Sequence, residues 1–266
     1  MLELLVLAIA PGVFLTWFFY VRDRYEHEPR RLIILTYVLG VLSVIPAFFV
    51  ELLGELLLPN DGLITLLVEV FIVIALTEEF MKLCAVRVLA YRSPEFNEVT
   101  DGIVYCAVAA LGFATLENVG YVFRYGLVTG VMRSVLSVPS HALWGGIMGH
   151  QVGLARFHRV NENMRILLGL LEAVFLHGLY DFIAFFFDVM LGLSMLAVLM
   201  ILSSTYLYTL MKKASEESPF RIRVPAVTQP GLFCPYCGRP MVYFKAYDAW
   251  YCYQCGTYYR EERVVY

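Results

Sequence analysis

Long apolar runs alternate with short polar breaks along this chain as far as residue 211. The runs occupy residues 1–21, 32–58, 62–90, 101–126, 132–156, 165–187 and 190–211. Each is near or above the roughly 20 residues with which an α-helix crosses a hydrocarbon core about 30 Å thick. The pattern predicts an all-α polytopic membrane protein with about seven transmembrane helices. The first run, MLELLVLAIAPGVFLTWFFYV, has neither the basic start nor the small-residue cleavage site of a removed signal peptide, and it reads as a span. The sixth break, DVMLGLS, carries the least polar punctuation, and a miscount there would move the tail to the other side.

Beyond residue 213 the pattern changes. ASEESPFRIRVPAVTQP, residues 214–230, gains Ser, Pro and charge and reads as a linker between a core at 1–213 and a small domain at 231–266. That domain holds two CxxC pairs, Cys234 with Cys237 and Cys252 with Cys255, separated by fourteen residues. Each pair is followed by a glycine, Gly238 or Gly256, which permits the tight turn of a thiolate knuckle. The spacing predicts a β-rich zinc ribbon with structural Zn2+ on the four cysteines; two disulfides or a redox pair are the competing readings.

Composition agrees with a membrane class: 60% of residues are hydrophobic and 16% charged. The net charge of −3 offers no basic field, which argues against nucleic acid and leaves the lipid bilayer as the first partner. Arg22, Arg24, Arg30, Arg31, Arg92, Arg156, Arg159, Arg165, Lys212 and Lys213 fall in the odd-numbered connections or at the start of the tail. Only Arg124 and Arg133 fall on the other side. This asymmetry predicts a cell-membrane protein with its amino terminus outside and its tail cytoplasmic, where the ribbon could meet a cytoplasmic protein.

Four apolar runs contain ionisable residues, which are costly in hydrocarbon unless paired, facing a bundle interior or working. TEEFMK carries Glu78, Glu79 and Lys82; Glu78 and Lys82 share a helical face, and Glu79 points about 100° away. GFATLENVGY carries Phe113, Glu117 and Asn118, with Gly112 and Gly120 for close helix approach. SVPSHALWGGIMGH places His141, Gly145 and Gly149 at spacing four. FLHGLYDF places His177 and Asp181 at i and i+4, where two groups can reach one metal or a carboxylate can orient an imidazole. At about 1.5 Å per residue, all four islands come out near the midplane, so they are expected to meet. Glu51, Glu55, Glu69 and Glu172 read instead as hydrogen-bonded packing residues, and His150 and His158 as interfacial. A non-catalytic scaffold or an ion- or solute-conducting bundle could use the same polar set.

The succession EEFMK, DGIVYCAVAALGFATLENVGYV, PSHALWGGIMGH and HGLYDF resembles the PrsW family of intramembrane proteases, which is related to the CaaX-processing and bacteriocin-immunity group. The family patterns EExxK, FxxxE and HxxxD fall on Glu78, Glu79 and Lys82, on Phe113 and Glu117, and on His177 and Asp181; His141 matches the histidine of the intervening helix. The likeness covers residues 70–185 and leaves the ribbon outside as an added module. It implies endopeptidase activity on membrane-anchored proteins, such as an anti-sigma factor. Two chemistries suit the residues. Glu117, His141 and His177 could hold a divalent metal, by ligand type Zn2+, with Asp181 behind them and Glu79 or Glu78 as base. Alternatively a buried glutamate activates water directly, with the histidines and Asn118 stabilising the oxyanion.

Overall fold

The computed structural model describes residues 2–23, 25–59, 62–157, 161–221, 232–244, 247 and 249–259. Every apolar run is helical. α1 (Leu2–Arg22) and α2 (Arg30–Leu57) are the first two helices. α3 (Leu63–Val68) continues through a π-helical stretch, Glu69–Ala75, into α4 (Leu76–Val88). α5 (Val99–Tyr125), α6 (Leu127–Val135), α7 (Ser137–Phe157), α8 (Glu162–Phe186) and α9 (Val189–Glu216) complete the bundle. Among the described residues, α1, α2, α5, α8 and α9 are each long and apolar enough to cross a membrane. The remaining two of the seven apolar runs are the α3–α4 run, which carries the charges, and the run that ends in α7, rich in Gly, Ser and His. Large apolar side chains such as Phe14, Trp17, Phe48, Phe49, Ile201 and Leu202 point outward from α1, α2 and α9, as a lipid-facing belt requires.

α5 is the axis of the bundle: every residue from Val99 to Thr115 is buried. Small residues make this possible. A Cβ on Gly145 of α7 would lie 2.7 Å from Ala110 Cβ and 2.8 Å from the Cys106 carbonyl oxygen, and one on Gly149 would run into the Gly102 carbonyl. The spacing-four glycines of α7 therefore lie directly on α5, and enlarging either overpacks the contact at a cost of about 1–3 kcal/mol. Gly120 is different, since nothing lies within 4 Å of it. The expected run 132–156 is broken in two: α6 follows the positive-φ Gly126, ends at Val135, and hands over to α7 at Leu136. His141 consequently sits only one turn, roughly 6 Å, inside its helix rather than at mid-span.

The tail forms a three-stranded antiparallel sheet, β1 (Val242–Phe244), β2 (Ala249–Cys252) and β3 (Thr257–Tyr259), in that order. Its four cysteines are free thiols whose sulfurs lie within 4.8 Å of one another. Cys234–Cys255 and Cys237–Cys252 are 3.7 and 3.5 Å apart, far beyond the ~2 Å of a disulfide. They approach the ~3.8 Å edge of a tetrahedron with ~2.3 Å metal–sulfur bonds. Gly238 and Gly256, at φ 68° and 63°, turn their N–H groups onto the Cys234 and Cys252 carbonyls. This is a zinc-ribbon fold, and it packs against the bundle. Tyr247, fully buried, meets Phe157 at the end of α7 and accepts the Val99 N–H at 3.2 Å, while Tyr253 donates to the Pro219 carbonyl. Arg24, His158, Arg159 and linker residues 222–230 lie outside the described residues. The linker's first residues instead extend α9 to Glu216.

Candidate active site

Glu78 and Glu79 occupy the first turn of α4, immediately after the π-helical stretch; such local widening recurs at functional sites because it re-aims the side chains that follow. Lys82 Nζ lies 3.0 Å from Glu78 Oε2, 2.8 Å from Glu79 Oε1 and 2.8 Å from His141 Nδ1. It also stands 4.3 Å from the centre of the Phe113 ring, the aromatic one turn before Glu117. An ammonium has three protons and no lone pair, so these three partners consume its donors. His141 Nδ1 must then accept. The ring's proton belongs on Nε2, which faces Glu117 Oε2 at 3.1 Å.

His177 places Nδ1 at 2.9 Å from Glu79 Oε1 and Nε2 at 3.4 Å from Asp181 Oδ2. Trp144 fixes the plane of this ring, stacking on it at 4.8 Å between centroids and 23°. One ligand atom each from Glu78, Glu79, His141 and His177 falls within 4.8 Å of the others. Three helices, α4, α7 and α8, thus deliver one cluster. Glu117 is not in that four-donor group: its Oε1 lies 2.7 Å from Arg133 Nη2, so it stands behind His141 as a partner. Asn118 is not in the cluster either, because it turns toward α1 and donates to the Ala8 carbonyl at 3.2 Å. Glu79 is wholly enclosed, and among the glutamate pair only Glu78 lines the adjoining cavity of about 670 Å³.

Five participants are not marked in the sequence. Arg133, which hydropathy places near a connection, folds inward on α6 and stacks on Tyr121 at 3.8 Å. Glu51, with Glu55 and Glu69, lines the cavity instead of serving as packing. Trp144 follows His141 by three residues, which is one helical turn; that spacing was the available signal. His150 is buried rather than interfacial.

The donor set suits a divalent metal. Two carboxylates and two imidazoles converge, Glu79 Oε2 is buried without a partner, and four carboxylates (Glu78, Glu79, Glu117, Asp181) face two fixed cations (Lys82, Arg133). The uncompensated charge is what a divalent ion, or two protons, would balance.

A polytopic helix bundle that buries such a cluster beside an internal cavity has the architecture of an intramembrane protease. Comparison with known proteins identifies which. The profile described as PrsW family intramembrane metalloprotease matches residues 28–207, and the chain belongs to this family. It is similar to Protease PrsW of Geobacillus kaustophilus, 39% identical over 184 residues that cover 69% of this chain and 80% of that protein. Protease PrsW of Bacillus subtilis is 38% identical over 184 residues, 69% of this chain and 83% of its own length. That of Clostridioides difficile is 34% identical over 193 residues, 68% and 79%. No solved structure matches. The family match stops short of the four ribbon cysteines.

Proposed function

We propose that this intramembrane protease cleaves membrane-anchored protein substrates at the Glu78–Glu79–His141–His177 cluster, with its amino terminus outside and its ribbon in the cytoplasm. The convergence of those four donors around Lys82, against a cavity within the bundle, is the observation that carries the reading. A regulator of the anti-sigma-factor type is the substrate class suggested by the family resemblance. Glu78 is the base: it faces the cavity, whereas Glu79, the first choice on sequence, is enclosed and held by Lys82 and His177. Asp181 orients His177, and Glu117 with Arg133 orients His141. Asn118 faces α1 and both ring nitrogens of His141 are engaged by Lys82 and Glu117, so oxyanion stabilisation falls to Arg133 on the cavity wall. A divalent ion held by Glu79, His141 and His177, with Glu78 left as base, would supply a polarised carbonyl and a nucleophilic water.

Lys82 favours a second chemistry. Its ammonium already stands within 3.0 Å of three of the donors, so it can serve as the site's cation while Glu78 activates water directly. Glu78→Gln and His177→Ala should each lower cleavage of a membrane-anchored test substrate by about 100-fold or more at unchanged protein level. Retained cleavage in both sinks the site. Ion or solute flux in liposomes without cleavage would instead support a conducting bundle. Chelation and metal readdition, carried out on a Cys234→Ser/Cys252→Ser background, separate the two chemistries from ribbon zinc.

A further inference from the structure

A second group of acidic side chains is buried at the ribbon end of the bundle. Asp23 follows α1, Glu28 precedes α2, Glu98 caps α5, and Asp101 lies in the first turn of α5. Their exposures are 1%, 2%, 1% and 0%. One oxygen each from Asp23, Glu98 and Asp101 falls within 4.8 Å of the others, the spread expected of ligands about 2.3–2.6 Å from one ion. Among the described residues, no Lys or Arg pairs with any of them, the ion pairs of the bundle lying elsewhere.

Each of three carboxylates is anchored through one oxygen and leaves the other free. Asp101 Oδ2 accepts the N–H groups of Asn97 and Glu98 at 2.6 and 2.7 Å, while its Oδ1 has no partner. The Glu98 side chain accepts the Asp101 N–H and leaves Oε2 unpaired. Glu28 Oε2 takes the Tyr105 hydroxyl and leaves Oε1 unpaired. Asp23 goes further, since both of its oxygens are buried and, among the described residues, take no N–H or hydroxyl donor, the Glu98 carboxyl alone standing within hydrogen-bond reach. An uncompensated buried carboxylate costs several kcal/mol, and four side by side cost more unless something neutralises them. Protons shared between carboxyls could do this. A cation answers the geometry better, because one oxygen each from Asp23, Glu98 and Asp101 already lies within 4.8 Å of the others.

We propose that Asp23, Glu98 and Asp101, with Glu28 at the edge, bind a divalent cation that prefers oxygen ligands, such as Ca2+ or Mg2+. The site is separate from the protease cluster: Asp101 and Glu117 are sixteen residues apart on α5, roughly 24 Å along its axis. It ties the α1–α2 connection to the start of α5. Val99, the next residue after Glu98, hands its N–H to Tyr247, so the same ion steadies the surface on which the ribbon docks.

The test uses the full-length protein in detergent, ribbon included, titrated with Tb3+, whose emission is sensitised by nearby tyrosines. Tyr105, bonded to Glu28, is the antenna. Wild type should show one saturable sensitised signal, displaced by Ca2+ or Mg2+, and a melting temperature that rises with the same cation. Asp23→Asn and Glu98→Gln are isosteric and relieve repulsion, so folding is not at risk; each should weaken Tb3+ binding at least about tenfold and abolish the thermal shift. Glu79→Gln should keep both signals, since it alters only the protease cluster. Three results overturn the proposal: no saturable displaceable signal in wild type, an Asp23→Asn protein that binds like wild type, or a signal lost in Glu79→Gln instead. If protons alone neutralise the cluster, Asp23→Asn will raise the melting temperature in every buffer and no cation will add to it.

Discussion

Lys82→Met tests the electrostatic logic of the protease cluster most directly. The ammonium is fully enclosed and within 3.0 Å of two carboxylate oxygens, whose side chains are 6% and 0% exposed. Removing it leaves Glu78 and Glu79 side by side without a counter-charge. Breaking a buried pair by deleting one partner costs about 3–5 kcal/mol, because the remaining charge stays buried. For a chain of this size that is a fall of about 6–20 °C in melting temperature. The double variant Lys82→Met/Glu79→Gln removes one of the two orphaned charges and the repulsion between them. It should recover much of the loss, with Met replacing the lysine's aliphatic stem over Phe113. The assay is thermal unfolding in one detergent, with wild type, both single variants and the double forming a cycle. If the double variant melts no higher than Lys82→Met, Lys82 does not compensate Glu79 and the charge accounting of the site is wrong.

Other consequences are as specific. Arg133→Gln should lower kcat by about 10- to 100-fold while the protein still accumulates, because Glu117 loses the group that sets its position behind His141; Arg133→Lys should recover part of the rate, and unchanged kcat in Arg133→Gln would refute the role. Cys252→Ser should remove about one equivalent of bound metal and make the tail more susceptible to proteolysis, since the ribbon that holds Tyr247 against Val99 and Phe157 would lose its centre; unchanged metal content argues against the site.

Much of the cluster was legible because helical geometry is local. Glu78 and Lys82 at i and i+4, and His177 and Asp181 at the same spacing, must share faces whatever the bundle does. Helical spacing alone pairs Lys82 with Glu78. A four-carbon stem reaches acceptors at both i−3 and i−4, so Lys82 holds both. Asn118 was grouped with Glu117 as its neighbour in sequence, yet adjacent residues diverge by about 100° on a helix, enough to turn the amide onto α1. Arg133 and the depth of His141 depended on where α6 stops. Hydropathy does not mark that break, because Val135, Leu136 and Val138 carry the apolar run across it.

Periodicity and hydropathy by themselves determined a helical membrane chain, the faces on which its acids and histidines lie, and a ribbon with four thiols. These follow from rules that act over one or two turns. Tertiary packing alone decided which carboxylate faces the cavity, that Arg133 enters the site, and that the ribbon docks on the start of α5. It also decided that four acids far apart in sequence share one buried pocket. Those outcomes depend on how the helices rotate and approach one another around α5, and only the packed bundle sets that.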